Sequence, residues 1–312
     1  MKPGIKITSL SKKFGDIKAV DGISLDVKHN TIFGLIGPDG AGKTTTMRIL
    51  CSLMKPDSGT VEIGGLDVRT QGEEIIKHLG YMPQRFSLYG DLTVLENMKF
   101  YSDIYEIPRD VREKKIEYLL KFSNLKDHSY KLADQLSGGM KQKLALSCNL
   151  IHTPDFLLLD EPTIGVDPVA RREFWKILFN LRDEGTTIFI STPYMDEAER
   201  CDEIGLMDKG RIIARDTPSN IIESFQKHII CIYSDNNYKA RDLAIKQDYV
   251  EDAYLLGEEL HIVASDYQSA QARLMEDFKS IDIKIKTIEK IRPSLEDVFV
   301  NIIKSQESGG GI

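Results

Sequence analysis

The residues with the most specific chemistry lie in one loop near the N-terminus. Gly37, Gly40, Gly42, Lys43 and Thr44 fit the pattern G-x-x-x-x-G-K-[ST], which is typical of a phosphate-binding loop. Successive backbone N–H groups of such a loop converge on phosphate oxygens, and the start of the following helix adds partial positive charge. The spacing therefore predicts a nucleoside triphosphate site.

Each position of this loop has an expected role. Lys43 would bridge the β- and γ-phosphates, and the Thr44 hydroxyl would bind Mg²⁺. The glycines would let the backbone approach the phosphates closely. We expect the nucleotide-binding residues of the loop to be Gly37, Pro38, Asp39, Gly40, Ala41, Gly42, Lys43, Thr44 and Thr45.

Two acidic residues follow an apolar run in the middle of the chain. The run Phe156–Leu159 reads as a central parallel strand that is buried on both faces, and Asp160 and Glu161 come directly after it. Sheets of this class place ligand chemistry at the carboxyl ends of their strands. We expect Asp160 to hold Mg²⁺ through water, and Glu161 to orient and deprotonate an attacking water.

These motifs need an α/β scaffold to position them. Residues 31–36 read as a buried strand before the loop, and a helix opens at Thr45. A short strand ends at Gln84, and the pattern is helical from about residue 90 to 150. Apolar and alternating runs between residues 186 and 214 predict further strands, so we expect one domain over residues 1–217.

Two further candidates are weaker on residue pattern alone. Ser137, Gly138 and Gly139 form a turn that opens a helix, and the N-terminus of this helix would make a second phosphate contact. Ser-Gly-Gly is also a common loop sequence. Phe14 lies in a turn upstream of the phosphate loop. It could stack on a nucleobase or serve as a small core residue, and spacing leaves both open.

A second, smaller domain is predicted after the turn at Asp216–Ser219. Residues 218–305 read as strand, helix, hairpin, helix, strand and final helix, which is a ferredoxin-like α+β order without any nucleotide motif. Residues 306–312 have the composition of a flexible tail.

Composition excludes several classes of protein. The 312 residues carry a net charge of −7, which does not favour a broad nucleic-acid surface. The four cysteines are far apart without a C-x-x-C spacing, which argues against zinc and disulfides and for a reducing compartment. No signal peptide or long apolar run is evident, so we expect a soluble, cytoplasmic protein that can dock onto a membrane partner.

With all motifs in order, residues 5–217 resemble the nucleotide-binding subunit of an ABC transporter. Gly37–Thr44 corresponds to the Walker A motif, Gln84 to the Q-loop, and Phe156–Glu161 to Walker B. Leu136–Met140 corresponds to the signature, and Gly165–Asp167 to the D-loop. The resemblance implies a P-loop NTPase with a RecA-like core, an antiparallel β subdomain and a helical subdomain.

The resemblance also implies partners and roles. It implies an ATPase with ATP and Mg²⁺ as cofactors, in which Glu161, Lys43 and Gln84 are catalytic and Thr44, Gln84 and Asp160 bind Mg²⁺. It implies a head-to-tail homodimer or heterodimer in which Ser137, Gly138 and Gly139 contact the ATP of the partner subunit. It places Phe14 where the family stacks an aromatic residue on the base.

Three segments narrow the resemblance to ABC-2-type exporter ATPases, including multidrug-efflux ATPases. They are Tyr81–Gln84, Tyr194–Asp202 and Pro293–Phe299. In such systems the integral-membrane permease is a separate polypeptide. The implied location is peripheral, on the cytoplasmic face of the cell membrane.

Two positions depart from the family pattern. Pro193 stands where the family has a switch histidine, and proline offers neither an imidazole nor a backbone N–H. Asp39 stands where Asn or Ser is usual, and a carboxylate beside a polyphosphate is electrostatically unfavourable. Both substitutions are either tolerated variants within a branch of these exporters, or signs of an asymmetric ATPase with one weakened site.

Two other functions remain open from the sequence. A soluble ABC-type ATPase acting on ribosomes or DNA is disfavoured, because the chain has one cassette and neither heptads nor a zinc spacing. A regulatory ABC subunit that hydrolyses ATP slowly is favoured by Pro193 and opposed by the intact Asp160-Glu161 pair.

Overall fold

The computed structural model describes residues 4–85 and 88–308. It divides the chain into two compact units, Met1–Thr217 and Pro218–Ile312. Each unit has its own sheet architecture and its own apolar core. Among the described residues, no helix is both long enough and apolar enough to cross a membrane.

The N-terminal unit contains a four-stranded antiparallel sheet in the order β2-β1-β4-β5. Alternation of apolar and polar residues in β1 and β2 buries one face of this sheet. The strands are β1 (Ile5–Phe14), β2 (Ile17–Val27), β4 (Ser58–Ile63) and β5 (Leu66–Asp67).

A six-stranded sheet carries the site, in the order β10-β9-β3-β8-β7-β6. β3, β6, β7, β8 and β9 are parallel, and β10 pairs antiparallel with β9. The three central strands β3, β7 and β8 are buried along their whole length, as their continuous apolar runs predict. The strands are β3 (Ile32–Ile36), β6 (Leu79–Met82), β7 (Phe156–Asp160), β8 (Thr187–Thr192), β9 (Glu203–Asp208) and β10 (Arg211–Asp216).

The helices of this unit fall into two groups. The consecutive helices α3, α4 and α5 pack on one another and form the helical subdomain that the sequence predicts. The other four connect strands. The helices are α1 (Lys43–Leu50), α2 (Gly72–Lys77), α3 (Val94–Ile104), α4 (Arg109–Phe122), α5 (Gly138–Leu150), α6 (Pro168–Asp183) and α7 (Met195–Ala198).

The sequence Asp110–Glu113 fits the pattern of a capping box, but the capping box of the helical subdomain lies at Thr93. The Thr93 hydroxyl accepts from the backbone N–H of Glu96 at 3.2 Å, and the Glu96 carboxylate accepts from the backbone N–H of Thr93 at 2.8 Å. Helix α4 starts one residue after Pro108, so Asp110 is already inside its first turn. Pro108 is the N-cap residue of this helix, and no side chain caps it.

The C-terminal unit is a ferredoxin-like sheet with helices, as predicted. Its antiparallel strand order is β12-β13-β11-β14. Helix α11 continues to Ser308, so the first residues of the predicted tail are helical, and residues 309–312 lie outside the described residues. The elements are α8 (Pro218–Glu223), β11 (His228–Ser234), α9 (Asn237–Ala244), β12 (Asp252–Leu256), β13 (Glu259–Ala264), α10 (Tyr267–Ser280), β14 (Ile285–Ile291) and α11 (Leu295–Ser308).

The two faces of this sheet differ. Ile230 and Ile262 point towards α9 and α10 and pack with Leu274 and Phe278 in the main apolar core. Side chains alternate along a strand, so their neighbours in β11 and β13 lie on the opposite face. That face carries a small apolar cluster around Ile229 and a group of polar residues.

Candidate nucleotide site

Four loops meet at the carboxyl edge of the six-stranded sheet. The neighbouring strands β3, β8, β7 and β6 end at Ile36, Thr192, Asp160 and Met82. The loops that follow them carry Gly37, Pro193, Glu161 and Gln84. The edge therefore brings the Walker A loop, the Walker B acids and the Q-loop glutamine together, as parallel strands dictate.

The loop between β3 and α1 fits only with glycine at two positions. Gly42 has φ of +109°, and a Cβ there would lie 2.1 Å from the backbone oxygen of Ala19. A Cβ at Gly37 would lie 2.1 Å from the backbone oxygen of Met207. Both clashes involve backbone atoms that cannot move aside, so packing requires glycine at both positions, and backbone conformation requires it at Gly42 as well.

Lys43 is buried, and its ammonium group is held at the centre of the loop. Its Nζ donates to the backbone oxygens of Gly37 at 2.8 Å and Pro38 at 3.0 Å. It also lies 3.0 Å from Oε1 of Glu161. Lys43, the first residue of α1, is thus paired with Glu161, the first residue after β7, and the charge pair is buried.

Glu161 is fixed from several sides. Its backbone has φ of +51°, a left-handed conformation that is unfavourable for a residue other than glycine. Its backbone N–H donates to the Ser191 hydroxyl at 3.1 Å, and its Oε2 accepts from Nε2 of Gln84 at 2.7 Å. Strained backbone of this kind is common at functional sites.

The two carboxylate oxygens of Asp160 differ in their hydrogen bonding. Its Oδ1 accepts from the Ser191 hydroxyl at 2.6 Å and from the Thr44 hydroxyl at 3.3 Å. Its Oδ2 is buried, and within the described part of the chain it has no hydrogen-bond partner. A buried carboxylate oxygen without a donor is costly unless a cation binds it, so Asp160 and Thr44 fit a Mg²⁺ site.

A cavity of about 260 Å³ opens between these groups. Asp39 is exposed at its rim, so its carboxylate can stay in solvent. The predicted residues Gly37, Pro38 and Ala41 support the loop and do not line the cavity. The lining residues are Ala19, Asp39, Gly40, Gly42, Lys43, Thr44, Thr45, Gln84 and Glu161.

Phe14 lies at the end of the β1–β2 hairpin. Its side chain is 48% exposed, and the Lys12 ammonium lies 5.8 Å from its ring centroid. The alternative that Phe14 is a core residue is therefore wrong. The ring does not line the cavity, but the same hairpin places Ala19 on the cavity wall.

The signature residues lie away from this cavity. Ser137 caps α5, where its hydroxyl accepts from the backbone N–H of Met140 at 3.3 Å. Ser137 and Gly138 are exposed, and Gly139 is packed so closely that a Cβ would lie 2.4 Å from Cβ of Ala170. The structure thus places the signature beside the start of α6 and not next to Lys43 of the same chain.

The loop that contains Pro193 is anchored by a buried acid that the sequence does not reveal. The backbone oxygen of Thr192 accepts from the N–H of Gly37 at 3.4 Å, which ties this loop to the Walker A loop. The Thr192 hydroxyl donates to Glu197 at 2.7 Å. Glu197 is fully buried, accepts from the Thr163 hydroxyl and lies 3.5 Å from Nε of Arg171.

We expect Glu197→Ala to destabilise the N-terminal unit by about 3 kcal/mol, because it leaves two hydroxyls and Arg171 without their buried partner. Urea unfolding followed by the fluorescence of Trp175, the single tryptophan of the chain, measures this unit directly. Glu199 is exposed in the turn that follows, so Glu199→Ala is the matched control and should change stability by less than about 0.5 kcal/mol. Equal effects of the two substitutions would contradict the anchoring role.

The thiols of this unit play no part in the site. Cys51, Cys148 and Cys201 are buried. Burial raises the pKa of each thiol, and the Asp160 carboxylate raises the pKa of Cys51 further. These three thiols therefore stay protonated and do not act as nucleophiles.

The amino-acid sequence matches a known family. Residues 20–164 match the ABC transporter family. The chain is 34% identical over 302 residues to the Nod factor export ATP-binding protein I of Ralstonia nicotianae, covering 96% of this chain and 94% of that protein. It is 45% identical over 217 residues to the probable multidrug ABC transporter ATP-binding protein YbhF of Escherichia coli K12, covering 70% of this chain but only 38% of YbhF.

Solved structures agree. An ATP-binding subunit of an ABC transporter matches with a TM-score of 0.64 and 27% identity, covering 71% of this chain and 92% of the other. The ATP-binding cassette MJ0796, in a dimeric post-hydrolysis state with ADP and Pi, matches with a TM-score of 0.62 and 26% identity, covering 68% and 98%. The chain belongs to the ATP-binding proteins of ABC transporters, and its activity is that of an ATPase.

Proposed function

We propose that this chain is the ATP-hydrolysing subunit that powers export through a separate ABC-2-type permease. The observation that carries the proposal is the assembly of Lys43, Glu161 and Gln84 around one cavity at the end of the sheet. Export as the direction of transport is supported by the name of the Ralstonia nicotianae relative, a Nod factor export protein that this chain covers over 94% of its length.

The chemistry follows from the contacts. A triphosphate in the cavity would compete with Glu161 for the Lys43 ammonium, because both are anions that need the same buried cation. Glu161, once released from Lys43, can accept the proton of an attacking water, and Gln84 can hold the carboxylate or the water in place. Mg²⁺ held by Thr44, Gln84 and Asp160 would neutralise charge on the β- and γ-phosphates.

The proposed assembly is a head-to-tail dimer with two ATP molecules between the subunits. Ser137 and Gly138 are exposed and sit at the N-terminus of α5, where backbone N–H groups favour an anion. A Cβ at Gly138 would lie 3.7 Å from the backbone oxygen of Gly165, so signature and D-loop share one surface. In the proposal this surface closes the ATP site of the second subunit, which is either another copy of this chain or a different ABC ATPase subunit.

The proposed location is the cytoplasmic face of the cell membrane, bound to the permease. A second cavity of about 370 Å³ is lined by Gln84 and Arg85 on one side and by Gly138 and Lys141 on the other. A permease segment at this cavity would touch both the site glutamine and the signature helix. Such a contact would couple ATP binding to the membrane subunit.

Co-purification tests the coupling to transport. The tagged chain is expressed together with an ABC-2 permease from the same genome, and detergent extracts are examined for a complex whose ATPase rate responds to the permease. A stable complex with altered turnover supports the proposal. If the chain hydrolyses ATP but neither binds the permease nor responds to it, the soluble ATPase alternative is favoured.

We further propose that residues 218–305 act in dimerisation or regulation. Among residues 4–85 and 88–308, those that line the nucleotide cavity all belong to the N-terminal unit. A chain that ends at Thr217 should therefore bind ATP with unchanged affinity in equilibrium titrations. Loss of ATP binding by a folded chain of that length would contradict this division of roles.

Pro193 supports a second candidate function, a subunit with one weak site. The residue lies directly after Thr192, whose backbone oxygen accepts from the N–H of Gly37 in the Walker A loop, and in this proposal it would lie near the phosphates. Proline there can neither donate nor accept through its side chain. The intact signature would still complete the site of a histidine-bearing partner subunit.

We expect Pro193→His to raise the ATPase rate of the purified chain by about 100-fold, because a positioning contact at the γ-phosphate and water is typically worth that much. Steady-state phosphate release gives the measurement. Pro193→Ala is the matched control, since it removes the ring without adding an imidazole. If the wild type and Pro193→His hydrolyse ATP at the same rate, proline is a tolerated variant at this position.

A further inference from the structure

The C-terminal unit gathers three metal-binding side chains on the sheet face opposite α9 and α10. Cys231 of β11 and His261 of β13 are direct cross-strand partners. Glu259 lies two residues before His261, so its side chain is on the same face. One donor atom each from Cys231, Glu259 and His261 lies within 4.8 Å of the other two.

The donor atoms of Cys231 and His261 both contact the carboxylate of Glu259. Nε2 of His261 lies 3.0 Å from Oε2 of Glu259. Sγ of Cys231 donates to the same Oε2 at 3.6 Å. Cys231 and His261 are buried, and the Glu259 side chain is 40% exposed, which leaves a path to solvent on one side.

A second acid fixes the histidine ring. Oδ1 of the fully buried Asp297 lies 2.6 Å from Nδ1 of His261, and Asp297 is itself held by the Tyr254 hydroxyl at 2.9 Å and the Ser294 backbone N–H at 2.7 Å. Histidines that bind metals usually donate their other ring N–H to a carboxylate, which orients the ring and fixes the tautomer. Asp297 occupies that place and leaves Nε2 to face Cys231 and Glu259.

We propose that Cys231, Glu259 and His261 bind a divalent transition metal ion of the Zn²⁺ class, with Asp297 as the carboxylate that orients His261. A thiolate and an imidazole select Zn²⁺ and similar ions over Mg²⁺ and Ca²⁺, which prefer oxygen ligands. The proposal is independent of the ATPase function, because all of these residues belong to the C-terminal unit.

Metals bind the thiolate form of cysteine and the neutral form of histidine, so binding of an ion at this cluster releases protons to the solvent.

The required movement is small. Zn–S bonds of about 2.3 Å and Zn–N bonds of about 2.0 Å need donor atoms roughly 3.5 Å apart. Cys231 and His261 sit on paired strands, and Glu259 is held by the Tyr233 hydroxyl at Oε1, which leaves its Oε2 beside the other two donor atoms. Glu289 is exposed opposite Cys231 on β14 and can supply a fourth ligand, or water can.

Cobalt binding to the full-length chain tests the site. The chain is stripped of metal with a chelator and titrated with Co²⁺ in the absence of nucleotide and Mg²⁺. We expect one equivalent to bind with a thiolate-to-cobalt charge-transfer band in the near ultraviolet, and Zn²⁺ to displace it. The Walker acids carry no thiol, so Co²⁺ bound there would not give this band.

Variants assign the ligands. Cys231→Ser should remove the band, and His261→Gln should weaken binding by more than about 100-fold, since losing a ligand costs more than losing its supporting carboxylate. His228→Gln, a histidine elsewhere on β11, is the matched control and should bind as the wild type does. A wild type without the band, or a band that survives Cys231→Ser, overturns the proposal and leaves His261 as an ion-pair bridge between Glu259 and Asp297.

Discussion

Lys43→Ala should abolish ATP binding, and we expect the dissociation constant to rise by at least about 100-fold. The Lys43 ammonium is the buried cation of the cavity and makes hydrogen bonds with the loop carbonyls and Glu161. Charge-assisted hydrogen bonds to phosphate are worth about 1.5–3 kcal/mol each, and 1.4 kcal/mol is a tenfold change in affinity. Isothermal titration with ATP and Mg²⁺ measures the difference.

A matched control separates charge loss from damage to the fold. Lys55 is exposed shortly after α1, and Lys55→Ala should leave the affinity unchanged. Because Lys43→Ala also leaves Glu161 without its ion pair, the fluorescence of the buried Trp175 must be compared with that of the wild type. A folded Lys43→Ala variant with near-normal ATP affinity would refute the assignment of the phosphate-binding loop.

The Walker A loop could be predicted from sequence because its signal is local. Its glycines are needed where the backbone passes Ala19 and Met207, and its lysine is fixed by the first turn of α1. The apolar run before Asp160 is equally local, since a strand buried on both faces has no polar positions. Parallel pairing then brings these segments to one edge of the sheet.

What the sequence could not show depends on contacts between distant segments. Ser191 and Glu197 are single polar residues whose roles arise only when β8 and α7 pack beside Asp160 and Thr192. Cys231 and Glu259 are 28 residues apart, so a search for short cysteine spacings cannot find them. Strand register, which no spacing pattern encodes, places them together.

One local signal in the sequence predicts a helix start at the wrong residue. The pattern at Asp110–Glu113 satisfies a capping box, but the reciprocal hydrogen bonds form at Thr93 and Glu96. Helix α4 begins at Arg109, two residues earlier than the pattern suggests. Local motifs therefore identify this helical subdomain correctly but leave its helix starts open.

Glu161→Gln should bind ATP normally but lower its turnover by about 10²- to 10⁴-fold, because an amide keeps the shape of the side chain and cannot accept the proton of the attacking water. The hydrogen bond with Gln84 should survive, since the amide oxygen can still accept from its Nε2, whereas the ion pair with Lys43 is lost. Phosphate release under saturating ATP and Mg²⁺ measures the turnover. Glu184→Gln changes an exposed acid at the end of α6 and is the control.

The same variant tests the proposed dimer. If each ATP lies between Lys43 of one subunit and Ser137 of the other, blocked hydrolysis should hold two subunits together, and gel filtration with ATP should show a dimer that separates when ATP is removed. Adding Ser137→Glu to Glu161→Gln puts a negative charge where the partner's phosphate would lie, and should restore the monomer while each subunit still binds ATP. A Glu161→Gln chain that stays monomeric at saturating ATP and Mg²⁺, or a dimer indifferent to Ser137→Glu, would contradict the head-to-tail arrangement while leaving the cavity around Lys43 as the nucleotide site.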